Sequence, residues 1–181
     1  MCAVEALQQL ELDRVELIPV SMPPHKTIAA EPGPEVRLAL CRAAVDGVDG
    51  LDVSDVEISR PGPSYTAVTL RALHDARPGD DLTFIVGADM ACSLPTWREP
   101  ESVLELATLG VAERDGVGRA QIEPLLADAL PGATERLRYF AMPRIDISST
   151  LVRSRVGAGR SVAHLVPASV AAAIAEWGLY A

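Results

Sequence analysis

The sequence is poor in the residues that build disulfide frameworks and metal sites. Its 181 residues include three cysteines and three histidines, and none of them stands in a C-x-x-C, H-x-x-x-H or H-E-x-x-H spacing. Isolated cysteines exclude a disulfide framework, and the missing spacings argue against a zinc site or any metal site built by the protein alone. We therefore expect reduced thiols and no metal held only by protein side chains.

Long apolar runs and an excess of positive charge are also missing. Although 49% of the residues are hydrophobic, no run approaches the ~20 apolar residues that span a bilayer. The net charge is −9, whereas proteins bind duplex nucleic acid through clustered lysine and arginine. The sequence thus predicts a cytoplasmic protein that binds neither membranes nor nucleic acid, and it leaves open whether the chain forms a homo-oligomer.

Strand-like and helix-like patterns alternate along the chain. Short apolar runs predict strands, and apolar residues at i, i+3, i+4 and i+7 predict helices. Such alternation predicts an α/β fold with a doubly wound parallel sheet, and the length suits one domain over residues 1–181. The predicted strands are 15–20, 51–58, 82–86, 109–112 and 138–142; the predicted helices are 4–12, 35–45, 65–75, 101–106, 121–129 and 167–177, with one more that starts after the last strand.

The segment I-S-S-T-L-V-R at 147–153 predicts the start of a phosphate-binding helix. Three hydroxyls and the free backbone N–H groups of a helix N-terminus favour an anion such as a triphosphate. Arg153 lies about one turn beyond the hydroxyls and can lean over the same anion, whereas Arg155 should point elsewhere. The alternative is that Ser148 or Ser149 is only an N-cap and Arg153 a solvated charge.

Basic side chains follow the first predicted strand, at the sheet edge where doubly wound folds bind ligands. Pro23 and Pro24 stiffen a turn that presents His25 and Lys26 together as donors to a phosphate or a carboxylate. An exposed loop with incidental polarity explains the same residues equally well. The sequence alone leaves both interpretations open.

The start of the helix predicted at 65–75 forms a second candidate. Ser64 is the expected N-cap, which leaves the amides of Tyr65 and Thr66 and the Thr66 hydroxyl to meet a small acidic group. Capping without any ligand is the alternative. The pattern therefore marks a helix start that is suited to an anion.

Three further side chains lie just beyond predicted strands. Asp89 follows the buried strand 82–86 and is placed to accept hydrogen bonds from two ribose hydroxyls, since an aspartate there is costly without a partner. Trp97, next to Arg98, offers a plane for a flat heterocycle, or else is a core tryptophan. Arg114 is placed to reach phosphates, or else is a surface arginine.

Taken in order, these motifs resemble those of bacterial nicotinate mononucleotide adenylyltransferases, and the resemblance covers essentially the whole chain. The resemblance implies a Rossmann-like fold of the nucleotidylyltransferase type and adenylyl transfer from ATP to nicotinate mononucleotide, with Mg²⁺ on the phosphates. The products would be pyrophosphate and nicotinic acid adenine dinucleotide, in NAD synthesis. The motifs are P-P-H-K at 23–26, P-S-Y-T at 63–66, F-I-V-G-A-D at 84–89, P-T-W at 95–97, R-D-G at 114–116 and I-S-S-T-x-x-R at 147–153.

The same resemblance implies roles for individual residues. One group would surround ATP, and the other would hold the nicotinate carboxylate, the ribose and the pyridine ring of the mononucleotide. The ATP group is His25, Lys26, Arg114, Ser148, Ser149, Thr150 and Arg153, and the mononucleotide group is Tyr65, Thr66, Asp89 and Trp97.

The family's catalytic H-x-G-H motif is not in this sequence. In the family a strand, a G-x-F-x-P loop and that motif precede the first helix, whereas this chain starts at Met1 in what resembles the middle of that helix. No catalytic residue is therefore identified, and we expect the first strand of the sheet to be missing. Because that strand is central and has two neighbours, we expect a late-assigned start codon or a shortened chain rather than an enzyme without the motif.

Two alternatives remain from the sequence. The first is a mononucleotide-binding module that has lost catalysis. The second is a sister enzyme that adenylylates another phosphate, such as phosphopantetheine. Trp97 and the P-S-Y-T loop disfavour the sister enzyme, because an aromatic plane beside an anion-binding helix start suits a pyridine carboxylate.

Overall fold

The computed structural model describes residues 1–22, 32–113 and 118–181, and His25, Lys26 and Arg114 lie outside these residues. The elements confirm the alternating pattern. In chain order they are α1 (Cys2–Gln9), β1 (Val15–Leu17), α2 (Pro34–Val45), β2 (Leu51–Val53), α3 (Thr66–Ala76), β3 (Leu82–Gly87), α4 (Ala88–Ser93), α5 (Pro100–Leu106), β4 (Ala107–Glu113), α6 (Arg119–Ala129), β5 (Leu137–Ala141), α7 (Ser149–Gly157) and α8 (Ala168–Glu176).

The chain divides into two compact units. The first unit contains Met1–Val15 and Ser64–Arg144, and the second unit contains Glu16–Pro63 and Ile145–Ala181. The sequence-based prediction of a single domain stays a prediction. The four predicted mononucleotide residues all belong to the first unit, and the described ATP residues all belong to the second.

The first unit is built on a parallel sheet with strand order β3-β4-β5. Leu109 of β4 pairs with a residue on each neighbouring strand and is fully buried, as is Val111. Alternate residues of a central strand face opposite sides of the sheet. Five of the seven residues of β4 are buried, including neighbours that face opposite sides, which is typical of a strand covered on both faces.

Helix α1 packs closely on this sheet because β4 has a glycine beneath it. A Cβ atom at Gly110 would lie 2.8 Å from Leu10 Cδ1 and 3.1 Å from Thr83 Cγ2. At the edge of the sheet, the side-chain amide of Gln9 donates to the Ala141 carbonyl (3.0 Å) and accepts from the Ala141 amide (2.9 Å). The helix therefore satisfies part of the open edge of β5.

The second unit contains the two-stranded sheet β1-β2 and a helical core. Helix α2 packs on α8, and the Ser169 hydroxyl at the start of α8 donates to the Ala43 carbonyl of α2 at 2.5 Å. Val152, Val162 and Ile174 are buried in the same cluster. The predicted end of α8 is confirmed, because Gly178 has a φ of +59°, the left-handed conformation that glycine adopts most readily after a helix.

Three local predictions were wrong. The strands predicted at 15–20 and 51–58 are shorter, and both end at their third residue. Helix α4 was not predicted, because its six residues are too few to show a helical period. Ser64 is not the N-cap of α3; Tyr65 occupies that position without a side-chain capping bond.

Candidate functional site

The first unit presents the N-terminus of α3 beside an aromatic ring. The carbonyl of Tyr65 accepts the amides of Val68 and Thr69 at 3.0 and 3.1 Å. The first amides of a helix have no intrahelical partner, so those of Thr66 and Ala67 stand at an end with partial positive charge. The anion-binding interpretation of the Tyr65–Thr66 pair stays a prediction, and the cap residue is not the one predicted.

Trp97 is held by both polar and aromatic contacts. Its indole Nε1–H donates to Ser93 Oγ at 2.9 Å, and its ring meets Phe84 edge-on, with centroids 6.0 Å apart and planes at 85°. The side chain is half-buried and packs against the core of the first unit. The core packing agrees with the alternative of a core tryptophan, and the stacking of a flat heterocycle on Trp97 stays a prediction.

Arg98 links Tyr65 to the segment that carries Trp97. Its guanidinium carbon lies 4.7 Å from the centroid of the Tyr65 ring, in a cation–π contact. Its Nε is 3.3 Å from Glu99 Oε1, and Arg71 Nη2 is 3.0 Å from Glu99 Oε2. Glu99 therefore lies between two guanidinium groups, and the three side chains together carry one net positive charge.

The same arginines change the ionisation of Glu99. The hydrogen bond from Arg71 is the main cause that holds the pKa of the Glu99 carboxyl below its usual value, with a further contribution from Arg98. Glu99 also has a φ of +55°, in the left-handed region. Arg71 is 28 residues from Glu99, so sequence inspection had no signal for this pair.

Asp89 lies in the first turn of α4 rather than in a loop after the strand. Its side chain is exposed, so the argument that it was costly to bury is wrong. A Cβ atom at Gly87 would lie 2.8 Å from Asp89 Oδ1, so glycine leaves room for the carboxylate. Asp89 and Ser93 are four residues apart and therefore lie on one face of the helix.

The contacts join two of the four predicted mononucleotide residues, Tyr65 and Trp97, into one set. We call Tyr65, Ser93, Trp97 and Arg98 the Trp97 cluster. Arg98 connects Tyr65 with its sequence neighbour Trp97, and Trp97 connects through Ser93 to the helix that carries Asp89. Ser93 was missed from the sequence, although its spacing of four residues from Trp97 was a usable signal.

The second unit presents the predicted phosphate-binding helix. Ser148 Oγ accepts the amide of Leu151 at 3.1 Å, which confirms a serine N-cap for α7. Ser149 and Thr150 are exposed in the first turn. The capping interpretation is therefore correct for Ser148, while the other two hydroxyls remain accessible.

The two arginines of α7 differ in their contacts. Arg155 donates from Nε and Nη2 to the Ser161 carbonyl at 3.1 and 3.0 Å, so it fastens the end of the helix. Arg153 has no hydrogen bond or ion pair to any residue in the described ranges 1–22, 32–113 and 118–181. Arg153 is thus the arginine of this pair that is available to an anion.

Across the described parts of the chain, no group of three or more His, Cys, Asp or Glu side chains is arranged to hold a metal ion. In the same residues, none of the helices combines the length and the apolar character that crossing a membrane requires.

Proteins similar to this chain are found by family and by sequence. The family model described as Cytidylyltransferase-like matches residues 2–155. A protein of Roseiflexus sp. (strain RS-1) is 44% identical over 179 residues, which cover 98% of this chain and 88% of that protein. A protein from Desulfatibacillum aliphaticivorans is 39% identical over 197 residues, which cover 98% of this chain and 90% of that protein. Both carry the name "Probable nicotinate-nucleotide adenylyltransferase".

Solved structures agree on the fold. Nicotinic acid mononucleotide adenylyltransferase of Plasmodium falciparum, complexed with APC, superimposes with a TM-score of 0.74 at 14% identity, covering 99% of this chain and 88% of that chain. The same enzyme complexed with NaAD superimposes with a TM-score of 0.73 at 15% identity, covering 98% of this chain and 86% of that chain. The predicted α/β fold of the nucleotidylyltransferase type is confirmed.

Proposed function

This chain belongs to the cytidylyltransferase-like family, and we propose that it transfers the adenylyl group of ATP to nicotinate mononucleotide. The products are nicotinic acid adenine dinucleotide and pyrophosphate. The names of its relatives support this choice of substrates. We propose the cytoplasm as the location of this step of NAD synthesis.

The observation that carries the proposal is the Trp97 cluster beside the first turn of α3. A half-buried indole supplies an aromatic plane for the pyridine ring, and the nearby helix N-terminus and Arg98 supply positive charge for the carboxylate. In this proposal Thr66 and its neighbour Tyr65 bind the nicotinate carboxylate, Trp97 stacks on the ring, and Asp89 accepts the ribose hydroxyls.

The start of α7 is proposed to bind the phosphates of ATP. Ser149, Thr150 and Arg153 are the groups that the fold leaves accessible there, while Ser148 holds the first turn in place. His25, Lys26 and Arg114 are proposed for the same substrate on the family resemblance alone.

The proposed reaction needs no nucleophile from the protein. A phosphate oxygen of the mononucleotide forms a bond to the α-phosphorus of ATP, and the bond from that phosphorus to the β-phosphate oxygen breaks. Positioning and charge neutralisation are then the protein's contributions. We propose that Mg²⁺ enters bound to the phosphates of ATP as part of the substrate, where it neutralises charge on the leaving pyrophosphate.

The test is pyrophosphate release from ATP and nicotinate mononucleotide with Mg²⁺. We would assay this chain and a form extended upstream in frame that carries the G-x-F-x-P and H-x-G-H segments. Release that requires both substrates, in either form, supports the proposal. Phosphopantetheine and nicotinamide mononucleotide serve as alternative acceptors.

Three results would speak against the proposal. Mononucleotide binding without turnover in both forms would leave a binding module, the alternative that the sequence raised. Faster transfer to phosphopantetheine would identify the sister enzyme. No binding of either substrate to either form would overturn both the catalytic and the binding interpretation.

A further inference from the structure

We infer that Ser93 is a positioning residue for the mononucleotide, because its hydroxyl sets the orientation of the Trp97 indole. The inference rests on the proposed function of Trp97 as the surface on which the pyridine ring stacks. It concerns how the protein holds that surface in place before the ligand arrives.

A hydrogen-bond relay runs from the Trp97 indole through Ser93 to the backbone of α4. The indole Nε1–H donates to Ser93 Oγ at 2.9 Å, and the Ser93 hydroxyl in turn donates to the Met90 carbonyl at 2.8 Å. An indole N–H has only one proton to donate, and a serine hydroxyl has one proton and two lone pairs. The relay therefore has a single consistent direction, and it ties the edge of the ring to α4.

The other contacts of Trp97 do not define the orientation of its ring by themselves. Phe84 touches the ring edge-on at a centroid distance of 6.0 Å, and such aromatic contacts tolerate a range of angles. The backbone amide of Trp97 donates to the Leu94 carbonyl at 2.9 Å, which holds the main chain but not the side-chain torsions. The core packing of Trp97 is apolar, so Ser93 is the hydrogen-bond partner among the described residues that fixes which way the N–H edge of the ring points.

The orientation of the Trp97 indole affects the affinity for nicotinate mononucleotide. Stacking requires a ring face at the correct angle, and a ring that samples other rotamers pays an entropic cost on binding. Without the hydroxyl, the indole N–H also seeks another partner. We expect removal of the hydroxyl to raise the Kd for nicotinate mononucleotide about three- to tenfold, as loss of one neutral hydrogen bond does.

The experiment compares three variants of the full chain by titration with nicotinate mononucleotide. Ser93→Ala removes the hydroxyl, and Ser93→Thr retains it on the same Cβ atom. Thr96→Val is the matched control, because it removes a hydroxyl that donates to the Ser93 carbonyl at 2.7 Å without touching the indole. The readouts are the Kd and the indole N–H resonances of ¹⁵N-labelled protein, of which the chain has two, one from each tryptophan.

The expected result is a weaker Kd and a displaced Trp97 N–H resonance in Ser93→Ala, with both restored in Ser93→Thr and both unchanged in Thr96→Val. An unchanged Kd in Ser93→Ala would overturn the inference while the proposed function stands. An equal loss in Thr96→Val would also overturn it, since the effect would then come from the turn. If the unsubstituted chain does not bind the mononucleotide, the proposed function fails and this inference fails with it.

Discussion

The two units hold their candidate ligand residues in different ways. In the first unit each member of the Trp97 cluster contacts another member or the core, through a hydrogen bond, a cation–π contact or an edge-on ring contact. In the second unit, Ser149 and Thr150 are exposed, and Arg153 has no partner within the described residues. The first set is organised by the fold in advance, while the second offers accessible groups around a capped helix.

This difference has an energetic consequence. A flat heterocycle is bound by shape, so its site benefits from rigid side chains that lose little entropy on binding. A polyphosphate is bound mainly by charge and backbone amides, which act over a longer range and tolerate flexible side chains. We therefore expect substitutions in the first unit to act through their neighbours and those in the second to act locally.

The largest effect is expected at Trp97. Trp97→Ala removes the proposed stacking surface, worth about 1–3 kcal/mol, so the Kd for nicotinate mononucleotide should rise about five- to 150-fold. Trp177→Ala is the control, because this tryptophan is 44% exposed and belongs to the second unit. The measurement is calorimetric titration with nicotinate mononucleotide. Equal Kd values for the two variants would mean that the units do not differ in binding this ligand.

The next effect tests the packing of α1 against the first sheet. Gly110→Ala places a Cβ atom within 2.8 Å of Leu10 Cδ1, and Gly110→Val adds two more methyl groups. Overpacking of this kind costs about 1–3 kcal/mol, with valine costing more, as measured by urea denaturation. Gly79→Ala, which has open space around it, should leave the free energy of unfolding within about 0.5 kcal/mol. Equal stabilities of all three variants would mean that this contact does not constrain the unit.

The second unit offers a matched pair of arginines on one helix. Arg153→Ala should weaken ATP binding about tenfold, because it removes a charge-assisted contact to phosphate worth about 1.5 kcal/mol. Arg155→Ala breaks the bonds to the Ser161 carbonyl and should instead lower the melting temperature. The reverse outcome, with ATP affinity dependent on Arg155, would contradict the assignment of these two side chains.

A smaller effect is expected at Gly87. Alanine is compatible with its φ of −75°, but the added Cβ atom would lie 2.8 Å from Asp89 Oδ1 and would displace that carboxylate. We expect a few-fold loss of mononucleotide affinity with little change in melting temperature. Gly33→Ala is the control, since Gly33 is also a helix N-cap but has nothing within 4 Å of its Cβ position. Unchanged affinity in Gly87→Ala would remove Asp89 from the proposed site.

The smallest effect lies outside the candidate site and appears only in alkaline solution. Burial, together with the charge of Glu123, raises the pKa of the Tyr139 hydroxyl from 10.0 to about 12. Between these values the unfolded chain loses the proton while the folded chain keeps it, so the free energy of unfolding falls as the pH rises from 10 to 12. Below pH 10, the Tyr139 hydroxyl does not change the free energy of unfolding.

Tyr139→Phe should remove that part of the alkaline loss of stability. The measurement is the denaturant midpoint at pH 9 and pH 11 for both proteins. Because the Tyr139 ring also lies 4.3 Å from the Arg119 guanidinium carbon, the comparison uses the pH dependence and not the absolute stability. The same decline in both proteins would show that other groups cause it.

Most helices and strands were predictable because their signals are local. The apolar periodicity over 35–45 and the strand-like pattern at 82–86 depend only on neighbouring residues. Ser148 was correctly identified as an N-cap candidate from its position before a helix. Helix α4 was missed because its six residues make fewer than two helical turns, a window too short to show a repeated apolar pattern. The cap of α3 was missed because Ser64 has the preferred residue type, yet the chain enters the helix one residue later.

The sequence predicted candidate site residues but not the contacts among them. Trp97, Asp89 and Tyr65 stood out because residues after strands and at helix starts meet ligands in α/β folds. Of their supporting partners, Arg71 has no motif, and Ser93 has only its spacing of four residues from Trp97 as a signal. Such partners are defined by distances in the folded chain. The residue type at one position does not give the distance from that residue to another residue.

The sequence by itself determined the α/β class, the order of the elements and the family, because each depends on local patterns and on motifs read in order. The tertiary structure decided which side chains support one another. It brought Arg71 to Glu99 across 28 residues at 3.0 Å, and it allowed α1 to approach β4 over Gly110. It also bonded Arg155 to Ser161 while leaving Arg153 accessible. Non-local contacts form only when the chain folds in three dimensions, so their selection lies beyond what a linear pattern contains.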